Sequence, residues 1–245
     1  ALWLIGHALG MSNAQVMALE DLSPYESKIE RAIVRREKGE PLQYIIGEGD
    51  FCGRDFAVGE GVLVPRRDTE TLIQAVMRHF GRDEEFVFVD WGAGSGCVGI
   101  TLLLEFPRTY GYLVEASDEA AEYALENLRR YDLSERAKIL PDTSGINHCR
   151  LVVSNPPYIP SGEIERLMRT VRDYEPHLAL DGGIDGMMCY REIFADAERM
   201  QPEYIILEVG SINQVQSLRS MSSYCDEVSD DGGFPRCLVF RRSGA

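Results

Sequence analysis

The stretch "SNPPYIP", Ser154 to Pro160, follows directly on the apolar "LVV" of Leu151 to Val153. A buried strand ending in an asparagine, two prolines that carry no N–H and a tyrosine leaves hydrogen-bond acceptors free at its tip. The Asn155 side-chain oxygen and the Pro156 carbonyl can face one point and take both N–H groups of a planar amine or amide. Tyr158 can then pack on the flat face of that group. Such a grip selects NH₂. An amide nitrogen is a poor nucleophile because its lone pair is delocalised. Holding both N–H groups favours positive charge on the nitrogen and aims it at an electron-poor carbon. Neither a metal nor a strong base is needed, because the proton can leave after transfer.

A second stretch, "FVFVDWGAGSGCVGI", sets Asp90 and the glycines Gly92, Gly94 and Gly96 between a strand and a helix. Glycines let the backbone turn with positive φ and let a ligand approach the main chain. Gly94, Gly96 and Gly99 also spell G-x-G-x-x-G, with Glu115 at the distance of a ribose-binding acid. A carboxylate ending a strand can accept both ribose hydroxyls. Asp142 follows another strand, where it or nearby main chain could meet an adenine amino group. A nicotinamide dinucleotide and S-adenosylmethionine both suit the glycine loop. Asn155 separates them, since hydride transfer gives N-P-P-Y nothing to do.

These loops need strands to carry them. After Pro65 helix and strand alternate: helix Thr69 to Phe80, strand Phe86 to Asp90, helix Gly96 to Glu105, strand Tyr112 to Glu115 and helix Glu119 to Tyr131. Strands Ala137 to Leu140 and Leu151 to Ser154 follow, then helix Met187 to Met200, strand Tyr204 to Val209, helix Ile212 to Ser220 and two closing strands around "DDGGFP". Alternation of this kind predicts an α/β fold, with a mostly parallel sheet covered on both faces and ligands beyond the carboxyl ends of its strands. Upstream, Leu2 to Lys38 reads as a small helical bundle. Ser23 to Glu26 form a capping box with Pro24 at the first helical position, and Ile29, Ala32 and Ile33 share one apolar face. "GEPLQYIIGEGDFCGRDFAVGEGVLVP" predicts a strand, a turn and a strand from Gln43 to Val64. The chain thus divides into a helical domain at 1–40, a hairpin connector at 41–64 and the α/β domain at 65–245. Its opening at Ala1, inside an apolar helix-like stretch, reads as a truncated start.

Forty acidic against twenty-five basic side chains give a net charge of -15, which repels a phosphate backbone and argues against free nucleic acid as a partner. No apolar run approaches the roughly 20 residues of a membrane span, so a soluble protein is expected. Six scattered cysteines form no C-x-x-C pair and suit a reducing compartment. The four histidines show no ligand spacing, and no metal is expected.

As an ordered set, "GEPLQYIIGEGDFCGRDF", "VLVPRRDTETL", "DWGAGSGCVGI", "LVVSNPPYI", "YEPHLALDGGIDGMMCYREI" and "ILEVGSINQ" resemble the HemK/PrmC family of protein-glutamine methyltransferases, from about Arg36 onward. The resemblance implies a Rossmann-like class I S-adenosylmethionine-dependent methyltransferase domain with a seven-stranded sheet, preceded by a helical substrate-docking domain. The implied reaction methylates the side-chain nitrogen of the Gly-Gly-Gln glutamine in class I peptide chain release factors. By resemblance Asp90, Gly92, Ala93, Gly94, Ser95 and Gly96 hold the methionine part of the cofactor and Glu115 its ribose. Asp142 and Thr143 lie by the adenine. Asn155, Pro156 and Tyr158 are catalytic, Asn155 also bordering the cofactor, and Pro157, Arg66 and Glu70 complete the substrate site.

There are departures. Pro65-Arg66-Arg67-Asp68-Thr69-Glu70 replaces the family's Pro-Arg-Pro-Glu-Thr-Glu, and Thr143 stands where the family often has an aromatic. Tyr174-Glu175-Pro176, Gly182-Gly183 and Asp185-Gly186 read as a loop around the substrate channel. Glu208 and Gln214 read as framework. A monomer in a bacterial cytoplasm is expected, with an organelle left open. Two alternatives share these residues: an adenine-N6 nucleic-acid methyltransferase, which must first unstack its base, and an S-adenosylmethionine-binding module without chemistry.

Overall fold

The structure is a computed structural model and describes residues 2–221 and 223–242. Four helices open the chain: α1 (Leu2–Leu9), α2 (Asn13–Met17), α3 (Glu26–Glu37) and α4 (Leu42–Ile46). Their common core is small, with Leu4, Ala32 and Ile45 buried and Ala8 and Leu42 against them. Three expectations change here. The capping box forms at Ser12, which exchanges bonds with Gln15. Ser23 lies inside a single 3-10 turn and makes no side-chain cap, because a cap needs the extended backbone that the turn denies it. Ile33 is 40% exposed, leaving Ile29 and Ala32 as the buried face of α3. At Leu42–Ile46 a helix replaces the expected strand. Aromatic and β-branched residues favour a strand, but Leu42 and Ile45, three residues apart, both reach the Leu4–Ala32 core.

The hairpin follows as β1 (Glu48–Phe51) and β2 (Arg54–Ala57), antiparallel, turning at Cys52 and Gly53 with φ of 51° and 70°. Positive φ at both turn positions suits the twist of a two-residue hairpin.

Next come α5 (Glu70–His79), β3 (Val87–Trp91), α6 (Cys97–Glu105), β4 (Tyr110–Val114), α7 (Asp118–Arg130), β5 (Ala137–Leu140) and β6 (Leu151–Ser154). The chain closes with α8 (Arg169–Arg172), α9 (Met188–Met200), β7 (Tyr204–Glu208), α10 (Ile212–Met221), β8 (Tyr224–Ser229) and β9 (Pro235–Arg241). Seven strands form one sheet in the order β5-β4-β3-β6-β7-β9-β8. β9 runs antiparallel to β7 and β8, and the other pairings are parallel. This is the Rossmann-like architecture expected. Alternate residues feed two cores: Phe88 packs with Leu72, Ile100 and Leu128, while Val89 and Val152 pack with Tyr190, Ile193 and Val215. Each such buried side chain contributes about 1.5–3 kcal/mol.

The chain runs outward from β3 to β5, then crosses back to place β6 on the other side of β3. That is the switch point where open α/β sheets bind ligands. Asp90 pairs with Val153, and the Ser154 hydroxyl donates to the Trp91 carbonyl at 2.6 Å. The glycine turn and Asn155 therefore emerge side by side.

Candidate active site

A cavity of about 830 Å³ opens beyond the carboxyl ends of β3, β4, β5 and β6, within the range of small-molecule sites. Its floor is the turn after β3. Gly92, Gly94 and Gly96 have φ of 72°, 57° and 77°, values that residues with a Cβ rarely adopt. The Gly92 and Ala93 amides both donate to the Val114 carbonyl at 2.9 Å. Glu115 accepts from the Gly94 amide at 2.7 Å and from Ser117 at 2.9 Å. Asp90, 1% exposed, accepts from the Gly99 amide at 2.8 Å. Burial pushes the Asp90 carboxyl up to about 7; the Gly99 N–H opposes this and the Glu115 charge adds to it. Gly99 lies within α6, where a Cβ would come within 2.9 Å of Asp90 Oδ2, so it serves close packing of helix on strand.

The far wall comes from the end of β5 and from α9. Asp142 makes a turn bond to the Ser144 amide at 2.7 Å, and the Ser144 hydroxyl and amide hold its carboxyl below the usual carboxylate range. Thr143 is turned toward α9, its hydroxyl and carbonyl accepting from Arg199 at 2.8 and 2.9 Å. Trp91 donates to Asp196 at 3.2 Å. Sequence reasoning missed this helix face. The signal was there in Cys189, Glu192, Asp196 and Arg199, spaced three and four apart on one side of α9.

Asp90, Glu115, Asp142, Asp181, Glu192 and Asp196 line the cavity against two guanidiniums, Arg66 and Arg199. That balance suits a cationic ligand and disfavours a pyrophosphate. It therefore fits S-adenosylmethionine better than a nicotinamide dinucleotide.

At the other end Asn155 and Pro157 line the cavity. Asn155 Nδ2 donates to the Thr69 hydroxyl at 3.1 Å. Its Oδ1 and the Pro156 carbonyl accept no hydrogen bond from the described residues. The Pro156 ring itself is buried.

Three residues expected at the substrate, Pro156, Tyr158 and Glu70, are not in the cavity lining. Tyr158 does not line the cavity. Its ring lies on Gly210, where a Cβ would come within 2.5 Å, and its hydroxyl reaches Glu208 at 3.4 Å. Room above Gly210 and an acceptor at the end of β7 draw it away from the cavity. Glu70 opens α5 facing the hairpin and accepts from the Cys52 amide at 3.0 Å, so it pins that turn rather than the cavity wall.

Arg66 does line the cavity and bonds Glu175 at 2.5 Å. Burial raises the Glu175 carboxyl, and Arg66 and the Val64 backbone oppose the rise. Thr69 and Asn127 were also missed. Asn127, fully buried on α7, accepts from the Ala57 amide at 2.7 Å and donates to the Ala57 and Ser95 carbonyls at 3.0 and 2.9 Å. Its signal was an asparagine on the stripe of Ala120, Ala124 and Leu128.

The chain is 37% identical to the release factor glutamine methyltransferase of Geobacter sulfurreducens over 253 residues, 96% of this chain and 86% of that protein. It belongs to the release factor glutamine methyltransferase family. The Moorella thermoacetica member is 35% identical over 98% of this chain and 89% of its own length. Residues 1–47 match the family model described as PrmC N-terminal domain, and residues 67–184 the model described as methyltransferase small domain.

Solved structures share the fold at low identity. A methyltransferase from Pyrococcus furiosus has a TM-score of 0.54 at 15% identity, over 86% of this chain and 98% of its own. The human methyltransferase 10 domain containing protein has a TM-score of 0.52 at 17% identity, over 76% and 88%. In this release factor glutamine methyltransferase family member, then, a class I methyltransferase sheet brings the glycine turn, an acidic cavity and Asn155 to one switch point.

Proposed function

We propose that the chain methylates the side-chain nitrogen of the glutamine in the Gly-Gly-Gln motif of class I peptide chain release factors. The methyl donor is S-adenosylmethionine, which supplies a methyl group made electrophilic by its sulfonium. Gly92 to Gly96 with Asp90 hold its methionine part and Glu115 its ribose, since each carboxylate oxygen keeps a lone pair beyond its backbone bond. Asp142 and Thr143 border the adenine.

The observation that carries the reading is that Asn155 lines the cavity together with the glycine turn, its Oδ1 and the adjoining Pro156 carbonyl accepting no hydrogen bond from the described residues. Two acceptors bind the two N–H groups of a carboxamide and repel a glutamate carboxylate, which leaves them unpaired. As positive charge develops on the nitrogen, both acceptors strengthen their hold, so they act on the transition state more than on the ground state. Pro157 and Arg66 shape the entrance. Helices α1 to α4 are a docking platform, tied to the catalytic domain by Tyr174 donating to the Lys38 carbonyl at 3.0 Å and Tyr44 donating to the Val62 carbonyl at 2.6 Å.

Among the described residues no helix is long and apolar enough to cross a membrane, and a cytoplasmic site of action accords with a release factor substrate. The -15 charge disfavours the adenine alternative. Labelled methyl transfer tests the reading. A release factor should take up label, its Gly-Gly-Gln Gln→Ala variant should not, and DNA and RNA should stay unlabelled. Equal labelling of the two factors, or label in nucleic acid, would remove it.

A further inference from the structure

Between β5 and β6 the chain crosses from the edge of the sheet, past β4 and β3, through residues 141–150, which form neither helix nor strand. Such a segment must find partners for its backbone polar groups outside any ladder. Its own ties are few: the Ile146 amide donates to the Thr143 carbonyl at 3.0 Å, and the Ser144 amide to Asp142 at 2.7 Å. Further anchors come from the last turn of α9. The Arg199 guanidinium donates to the Ile146 carbonyl, to the Thr143 carbonyl at 2.9 Å and to the Thr143 hydroxyl at 2.8 Å. Next to it the Met200 carbonyl accepts from the Cys149 amide at 3.4 Å. Ile146 and Cys149 are buried in the core that Ala197 and Met200 also enter.

The same helix face reaches the tip of β3. Asp196, three residues before Arg199, accepts from Arg199 at 3.4 Å and from the Trp91 indole N–H at 3.2 Å. Asp142, Thr143, Ser144 and Trp91 all line the cavity, so neighbouring side chains of α9 fix both the loop after β5 and the indole. A guanidinium is planar and carries five donors in a rigid fork. It can hold acceptors on Thr143 and Ile146 at once, whereas the ammonium of a lysine has no such fork.

We propose that Arg199, acting through the loop after β5, is a positioning residue for the adenine ring of the cofactor. The inference rests on the reading of the cavity as an S-adenosylmethionine site, and adds what keeps Asp142 and Thr143 at the border of the purine. With its hydroxyl and carbonyl both engaged by Arg199, Thr143 serves as the anchor of the loop. A loop already fixed before the ligand arrives need not be ordered on binding, and the affinity gained is the ordering cost avoided.

Titration calorimetry of the wild type, Arg199→Met and Arg199→Lys tests this with S-adenosylhomocysteine and with 5′-methylthioadenosine, which keeps the nucleoside and lacks the amino-acid part. Arg199→Met is expected to weaken both compounds by the same factor, about tenfold to a hundredfold, the cost of ordering one or two loop residues on binding. Arg199→Lys, which keeps the charge without the fork, should fall between Arg199→Met and the wild type. In turnover the KM for S-adenosylmethionine should rise with the Kd, while kcat at saturating cofactor stays within about threefold and the KM for the release factor within about twofold, a split that general loss of stability would not give.

An unchanged Kd in Arg199→Met overturns the proposal. So does a weakening confined to S-adenosylhomocysteine, which would put the fault at the methionine end, or an Arg199→Lys variant that binds as tightly as the wild type, which would reduce Arg199 to its charge. Should Arg199→Met fail to fold, Arg199→Lys decides alone, with an equal weakening of both compounds expected. A wild type that binds neither compound refutes the cofactor reading and this inference with it, whereas tight binding by the wild type and both variants refutes the inference alone.

Discussion

At the cofactor end of the cavity the turn is tied by bonds spanning 2 to 32 residues of chain, whereas at the substrate end the tip of β6 is aimed by partners 50 to 86 residues away. The first is mostly a local cradle, held within one stretch from β3 to α7. The second depends on the assembled sheet, since Thr69, Glu208 and Gln214 meet Asn155 and Tyr158 only once β6 and β7 are paired. The difference divides the work. Damage at the cofactor end should weaken binding, and damage at the substrate end should slow the chemical step.

Two substitutions sharpen that division. Asn155→Ala removes one preorganised acceptor and should lower kcat by roughly 10²–10³, with the Kd for S-adenosylmethionine within about twofold. Steady-state kinetics beside a cofactor titration would show it, and a joint loss of affinity and turnover would blur the two ends into one. Glu115→Ala should do the reverse and less. Losing a charged acceptor worth about 1.5–3 kcal/mol should raise the cofactor Kd about ten- to a hundredfold, with kcat at saturating cofactor near the wild-type value. An unaltered Kd would break the comparison from the cofactor side.

The same contrast explains what could be read in advance. The glycine turn, Asp90, Glu115 and the strand before Asn155 were legible because turn chemistry and apolar periodicity are local. The spans of β5 and β6 were read without error. Tyr158 and Glu70 do not line the cavity, because their orientation is set by Gly210 and by the Cys52 amide, partners that no local spacing reveals. Thr69 passed unnoticed within an unusual Pro65 to Glu70 loop, although it is the residue that touches Asn155. At Leu42–Ile46 the strand propensity of aromatic and β-branched residues yielded to tertiary packing on Leu4 and Ala32.

The position of the transferred methyl tests the central claim most directly. Tandem mass spectrometry of a release factor incubated with the protein and S-adenosylmethionine should find one methyl group on the side-chain nitrogen of the Gly-Gly-Gln glutamine. A methyl on a carboxylate, on a backbone atom or on any other side chain would contradict the account, because two acceptors at the tip of β6 can present only an NH₂ group to the donor.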